Sequence, residues 1–294
     1  MSKSTHLDLP LRFGTVGIPK SAVANGGSVG GVQRIRELNL SALELGWVQS
    51  VRVSDDTCAK IKAAALANEV AMSVHAPYFI NLNAETEEMW LAGRERLLMA
   101  ARAGYKAGAT DIIFHPGAYM KKTPAEAYKI GLARLAEVVS ILKTEGTAVI
   151  LRPETMGKSA QLGTLAEIIG WCRELEGVLP CVDFAHLHAR PGDGSFNTYD
   201  EFARALHQIG EGLGDHALQH MHMHFSGIAY TAKGEKNHLN LDEADINYKD
   251  FFKVLADFGV RGRVMGETPN MEEGAVLMQN TYQRALAKAR AALR

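Results

Sequence analysis

A single (β/α)8 barrel is the α/β fold that the sequence predicts, on three observations. Eight short β-rich runs recur along the chain, amphipathic helical segments alternate with them, and no Pro/Gly/Ser-rich linker divides residues 1–294 into separate domains. With 294 residues and a hydrophobic fraction of 47%, the chain can fill one large core.

The elements follow in order. "LRFGTVG" (11–17) and "SALELGWV" (41–48) read as the first two strands. Between them "NGGSVGG" (25–31) follows no strand directly, and neither it nor "GTVGIPKS" has the G-x-G-x-x-G spacing of a dinucleotide turn, so a flexible loop before the first helix is expected there. "VAMSVHA" (70–76) is the third strand, "TEEMWLAGRERLLMAARAGYKAGA" (86–109) a helix, and "TDIIFHP" (110–116) the fourth strand. The helix "PAEAYKIGLARLAEVVSILKTEG" (124–146) ends, like the one before it, at a glycine suited to a C-cap. "TAVILRPE" (147–154), "VLPCVDF" (178–184), "LQHMHMHF" (218–225) and "RVMGETP" (263–269) complete the strands, and "MEEGAVLMQNTYQRALAKARAALR" is the eighth helix. The continuous apolar character of most strands favours a closed barrel over an open, doubly wound sheet.

Charge and cysteine content narrow the function classes. A formal charge of −1 gives no global basic field, so a nucleic-acid partner would have to be held by a local patch or by metal ions. Cys58, Cys172 and Cys181 show no CxxC spacing, which argues against a disulfide framework and a thiolate zinc site and fits a cytoplasmic protein. The N-terminal "MSKSTHLDLPLRF" lacks a signal-peptide core, no run approaches a membrane span, and no protein partner is implied.

Chemistry in a barrel collects at the C-terminal ends of the strands. There the chain places His75 on strand three, His115 on four, Glu154 on five, Asp183 on six, one or more of His220, His222 and His224 on seven, and Glu267 on eight. Each step along this series is one βα unit long, so residues distant in sequence converge on one rim. Three carboxylates crowded together repel, and several imidazoles beside them make a site for a divalent cation such as Zn, Mn or Fe. Any one of these residues alone reads more simply as a cap or a core histidine; the whole set at matching positions does not. Period-two alternation puts the three strand-seven histidines on one face, where one serves as ligand and the others fill the interior or contact substrate. His186 and His238 lie on loops at the same face.

From about residue 70 to 269 these motifs, "SVHAPYFINL", "FHPG", "ETMGK", "VDFAH" and "ETP", resemble in order those of endonuclease IV, the zinc-dependent apurinic/apyrimidinic endonuclease family of the xylose-isomerase-like barrels. The resemblance implies that His75 and His115 bind one zinc and that Glu154 bridges it to a second held by Asp183, a strand-seven histidine and Glu267. His222 fits that place best, with His224 its rival. His186 and His238 would bind a third ion. Tyr78 matches an aromatic used beside the abasic nucleotide. Two departures stand out: the family's Asp-x-His reads Lys236-Asn237-His238 here, and the strand-two loop "VQSVRVSDD" is short.

The expected function is therefore hydrolysis of the phosphodiester 5′ to abasic sites in DNA, as in base excision repair. Glu154 and Glu267 are the expected catalytic carboxylates, and two or three zinc ions the cofactor, with Mn or Mg as substitutes. Lys121, Lys122, Lys158, Arg190, Lys233 and Lys236 fall on loops at the catalytic face, where Lys236 joins Tyr78 in the expected DNA contact. Two rivals use the same barrel. A sugar isomerase or epimerase would need one Mn or Mg held by Glu154, Asp183, a strand-seven histidine and Glu267, and a non-catalytic binding module would need no turnover at all.

Overall fold

The computed structural model describes residues 11–22 and 26–292. In chain order the elements are β1 (Leu11–Val16), α1 (Gly27–Glu37), β2 (Ala42–Gly46), α2 (Asp55–Asn68), β3 (Ala71–His75), α3 (Glu87–Lys106), β4 (Ala109–Phe114), α4 (Pro124–Thr144), β5 (Ile150–Pro153), α5 (Leu165–Glu174), β6 (Cys181–Asp183), α6 (Phe184–Ala189), α7 (Tyr199–Leu213), α8 (Asp215–Leu218), β7 (Met221–Phe225), β8 (Gly227–Thr231), β9 (Gly234–Leu239), α9 (Tyr248–Asp257), β10 (Gly262–Gly266) and α10 (Glu272–Ala292). Each of the eight expected barrel strands forms. The expected N-terminal segment falls largely, and the last two residues of the final helix wholly, outside the described residues.

Local chemistry sets the helix starts. Thr123 and Thr164 each accept from the backbone N–H three residues on, while Glu126 and Glu167 reach back to the cap N–H. Such caps are worth about 1 kcal/mol each. "NGGSVGG" departs from expectation: Asn25 lies outside the described residues, but Gly27 opens α1 and Gly31 sits inside it. A Cβ on Gly31 would stand 3.1 Å from Ile18 Cγ2, so the small residue serves close packing of the helix on the β1 loop.

The eight barrel strands pair in parallel in the order β5-β4-β3-β2-β1-β10-β7-β6. Bridges Leu151↔Val178 and Glu154↔Cys181 join β5 to β6, with Thr155 N–H donating to the Cys181 carbonyl at 3.0 Å, and so close the cylinder. After β7 the chain makes an antiparallel hairpin, β8–β9, before α9. The sequence reading has only a loop there.

Buried apolar rings seal the helices onto the barrel, among them Trp90, Trp171 and Phe251 of α9 stacked on Phe225 of β7. The inside is polar, unlike the aliphatic layers common in this fold. Toward the N-terminal strand ends, Asp111 takes Arg152 Nε at 2.5 Å and Arg263 at 2.8 Å. Burial works against the Asp111 charge, but the two guanidiniums hold its pKa far below the ordinary carboxylate range. Above this lie Glu44, Ser73 and His222, and above them the rim. No described helix is long and apolar enough to cross a membrane.

Candidate metal centre

Strand pairing brings the rim residues together. β7 pairs with β6 so that His224 faces Asp183, and with β10 so that His224 sits opposite Met265, two residues before Glu267. Glu154 follows β5 and bridges to Cys181 on β6. His75 ends β3 and His115 follows β4. Asp183 also caps α6, its Oδ1 accepting from His186 N–H at 2.8 Å, which sets His186 one turn above the same rim. The cap and the candidate ligand are thus one residue using its two oxygens differently.

Among the described residues four groups of side chains place one ligand atom each within 4.8 Å of one another: His75, His115 and Glu154; Glu154, Asp183, His224 and Glu267; Asp183, His186 and His238; and, one layer below the rim, Cys181, His222 and His224. Glu154 belongs to two of them and Asp183 to two.

Hydrogen bonding settles which ring nitrogen faces the centre. Nδ1 of His75 donates to the Ala76 carbonyl at 2.9 Å and Nδ1 of His238 to the Glu267 carbonyl at 3.2 Å. Nε2 of His224 donates to Glu44 at 3.0 Å. In the neutral rings the remaining nitrogens carry lone pairs, and two of them confront carboxylates: His75 Nε2 lies 3.4 Å from Glu154 and His224 Nδ1 lies 3.5 Å from Glu154 and 3.6 Å from Glu267. His115 Nε2 is 3.2 Å from Glu154. Both Glu154 oxygens, Asp183 Oδ2 and His224 Nδ1 are buried without a hydrogen-bond partner. Orphaned buried acceptors facing one another are costly by about 1–3 kcal/mol each unless a cation stands between them. This donor set, oriented through backbone carbonyls and Glu44, fits divalent metal ions.

The same crowding shifts protonation in the metal-free protein. Burial works against charging His75 and His186, but Glu154 beside the first, and Asp183 and Glu154 beside the second, raise both above an ordinary imidazole. Burial and the carboxylates of Glu267 and Glu154 push the Tyr78 phenol up to about 12.

Of the two strand-seven candidates, His222 groups with Cys181 and His224 and not with the rim carboxylates. It points into the layer below, where its Nε2 donates to Glu44 at 2.9 Å, and burial lowers it to about 4, so it stays neutral. His224, one period further along β7, stands with Glu154, Asp183 and Glu267. The register of β7 against β6 makes that choice, and sequence distance does not encode it. Glu44 was missed outright: fully buried, it accepts from His222, His224 and Ser73 Oγ (2.8 Å). Burial opposes its charge, yet His224 and His222 hold its pKa well below the carboxylate range. A lone glutamate inside the apolar run "SALELGWV" was the available signal.

Around the rim, Tyr78 is half exposed and stacks on His115 at 5.1 Å, beside a cavity of about 480 Å3 lined by Tyr78, Phe79, Asn81, Arg96, His115 and Gln161. Lys236, Lys233, Lys158 and Lys121 are exposed. Arg190 is not free for the rim, because its guanidinium donates to the carbonyls of Met156, Lys158 and Gln161 and braces the loop after β5.

Comparison with known proteins accords with this architecture. The family model described as xylose isomerase-like TIM barrel matches residues 32–293. An uncharacterized protein of Methanocaldococcus jannaschii is 37% identical over 275 residues, 94% of this chain and 98% of that protein. A probable endonuclease 4 of Geobacillus sp. is 27% identical over 228 residues, 74% of this chain and 72% of its own length. Among solved structures, endonuclease IV from Thermus thermophilus superposes with a TM-score of 0.69 at 17% identity, over 95% of this chain and 100% of that one. A D-tagatose 3-epimerase-like protein does so with 0.72 at 19%, over 97% and 100%. At those identities the superpositions speak for the fold alone, in which a nuclease and an epimerase-like protein are equally at home. The chain belongs to the xylose isomerase-like TIM barrel family.

Proposed function

We propose that the protein is a metal-dependent phosphodiesterase that cuts DNA 5′ to abasic sites, leaving a 3′-hydroxyl and a 5′-deoxyribose phosphate. The observation that carries this reading is the position of Glu154, shared between His75 and His115 on one side and Asp183, His224 and Glu267 on the other. A single-ion isomerase is complete with Glu154, Asp183, His224 and Glu267 and has no need of His75 and His115. The 27% identical probable endonuclease 4 of Geobacillus supports the same choice.

In this reading His75 and His115 hold one ion, Asp183, His224 and Glu267 a second, and Glu154 joins both. His186 and His238, with Asp183, hold a third. When bound, zinc ions supply Lewis acidity, making water nucleophilic near neutral pH and neutralising charge on the phosphate and the leaving oxygen. Glu154 has both oxygens turned to the imidazoles, so its task is to hold and space the centre. Glu267 is less deeply buried, and its two oxygens face His224 and His238, which puts it where the centre opens to substrate. Tyr78, with the neighbouring exposed Phe79, offers aromatic faces for a sugar or base, and Lys236 with the other rim lysines offers charge for the phosphate backbone. Because residues 47–54 make only a short loop after β2, these contacts fall to the β3 loop and the hairpin.

Incubation of the zinc-loaded protein with a duplex carrying one abasic site tests the proposal. The expected product is a nick 5′ to the site that chelator abolishes and that presents a 3′-hydroxyl to a polymerase. Intact duplex after prolonged incubation with fully loaded protein, together with epimerisation of a ketose, would transfer the assignment to the sugar-isomerase reading.

A further inference from the structure

Asp183, His186 and His238 supply one carboxylate and two imidazoles, where a closed zinc site has four ligands. The local sequence is Glu235-Lys236-Asn237-His238, and strict alternation along β9 would put Lys236, not Glu235, on the side of His238. The pairing with β8 is not strictly alternating. His238 stands opposite Ile228 and Asn237 opposite Ala229, but Tyr230 stands opposite Glu235, so Lys236 is the extra residue of a β-bulge. Facing residues of an antiparallel pair share a side, and Ile228 and Tyr230 are two apart. The bulge therefore returns Glu235 to the side of His238 and leaves Lys236 exposed.

The loop after β5 secures this arrangement. Glu235 N–H donates to the Gly157 carbonyl at 2.9 Å, and Lys158 bridges to Gly234. A Cβ on Gly157 would stand 2.8 Å from both Cβ and Oε2 of Glu235 and 3.0 Å from His186 Cδ2, so only glycine admits the carboxylate here. Glu235 Oε2 then lies 3.5 Å from His186 Nε2, at the edge of the group in which Asp183, His186 and His238 hold their ligand atoms within 4.8 Å of one another, so that it joins that group by a small side-chain movement. Nδ1 of the His186 ring donates to the Thr155 carbonyl at 2.9 Å, which leaves the Nε2 lone pair facing a carboxylate oxygen. Asp183 Oδ2, buried and without a hydrogen-bond partner, lies 3.4 Å from the same imidazole at Nδ1.

We infer that Glu235 is the fourth ligand of a cation site formed with Asp183, His186 and His238, taking through the bulge the place that Lys236 does not fill. The inference rests on the metal-centre reading above. With Asp183 shared between this group and its neighbour, Glu235 adds the second carboxylate to two neutral imidazoles and completes four donors for a tetrahedral ion.

The test is an ion count on the full chain, stripped with chelator, reloaded with zinc, and titrated against a chromophoric chelator. Wild type should hold three ions. E235Q should hold two, with the third weakened by roughly 10–100-fold or more, and K236Q should hold three with the third altered by less than about threefold, as for a screened surface charge. Glu235→Ala, which removes the carboxylate and leaves His186 untouched, should repeat the E235Q result if that variant folds poorly. Retention of the third ion by E235Q at wild-type affinity would reduce Glu235 to a salt-bridge partner of His186 and overturn the inference, as would a wild type that never takes more than two ions. Because ion counting needs no nucleic acid, three ions without nicking would sustain Glu235 and remove the nuclease, while nicking with an unchanged count in E235Q would do the reverse.

Discussion

Glu44 is the residue on which the orientation of His224 depends, and replacing it with methionine gives a prediction that can be worked through. The change keeps volume roughly constant while removing the acceptor of His224 Nε2 (3.0 Å), His222 Nε2 (2.9 Å) and Ser73 Oγ (2.8 Å). Without that acceptor the His224 proton is no longer fixed on Nε2, and the tautomer protonated at Nδ1 cannot face Glu154 and Glu267 as a ligand. Loss of such an outer partner lowers metal affinity by about 10–100-fold, or roughly 1.4–2.7 kcal/mol. Glu44→Gln should be milder, since its amide oxygen can still serve His224 while the NH2 turns to His222, whose Nδ1 has no partner. Chelator competition at the Glu154–Asp183–His224–Glu267 site reads the affinity, and a melt of the metal-free protein reports any packing loss separately. An E44M protein that holds its ion within about twofold of wild type would refute the claim that this carboxylate fixes the ligand tautomer.

Four further outcomes are expected. His224→Gln keeps a donor for Glu44 but loses the ligand nitrogen, so it should lose an ion, whereas His222→Gln should keep the full count by metal analysis. Because the folded pKa values of His75 and His186 lie above the ordinary imidazole's, their stabilisation of the metal-free protein is fully present below about pH 6.5 and is lost as pH rises through the folded values; calorimetric melts should show the metal-free Tm falling across that window while the increment from added zinc grows. Titration calorimetry at pH 7 in buffers of different ionisation enthalpy should register proton release on zinc loading. Asp111→Asn leaves Arg152 and Arg263 without their buried partner and should cost about 3–5 kcal/mol in urea unfolding, with the ion count unchanged.

The strands and the rim were legible because both are periodic. Apolar runs with a ligand at the C-terminal end recur once per βα unit, and the parallel register carries His75, His115, Glu154, Asp183 and Glu267 to one circle. What was not legible depends on register or on a single inserted residue. His222 and His224 share one face of β7, and only the pairing Asp183↔His224 decides which reaches the rim. Glu235 is invisible to alternation because the bulge at Lys236 reverses the phase of β9. Glu44 sits in an apolar run whose inward face could not be assigned before its cross-barrel partners on β7 were known. "NGGSVGG" looked like a loop by composition, but Gly31 was placed for helix packing against Ile18.

The most direct test of the account is a zinc-edge anomalous difference map from a crystal of the reloaded protein. The account predicts one peak among His75, His115 and Glu154 and a second among Glu154, Asp183, His224 and Glu267, with the glutamate between them. A single peak confined to the second group would contradict it.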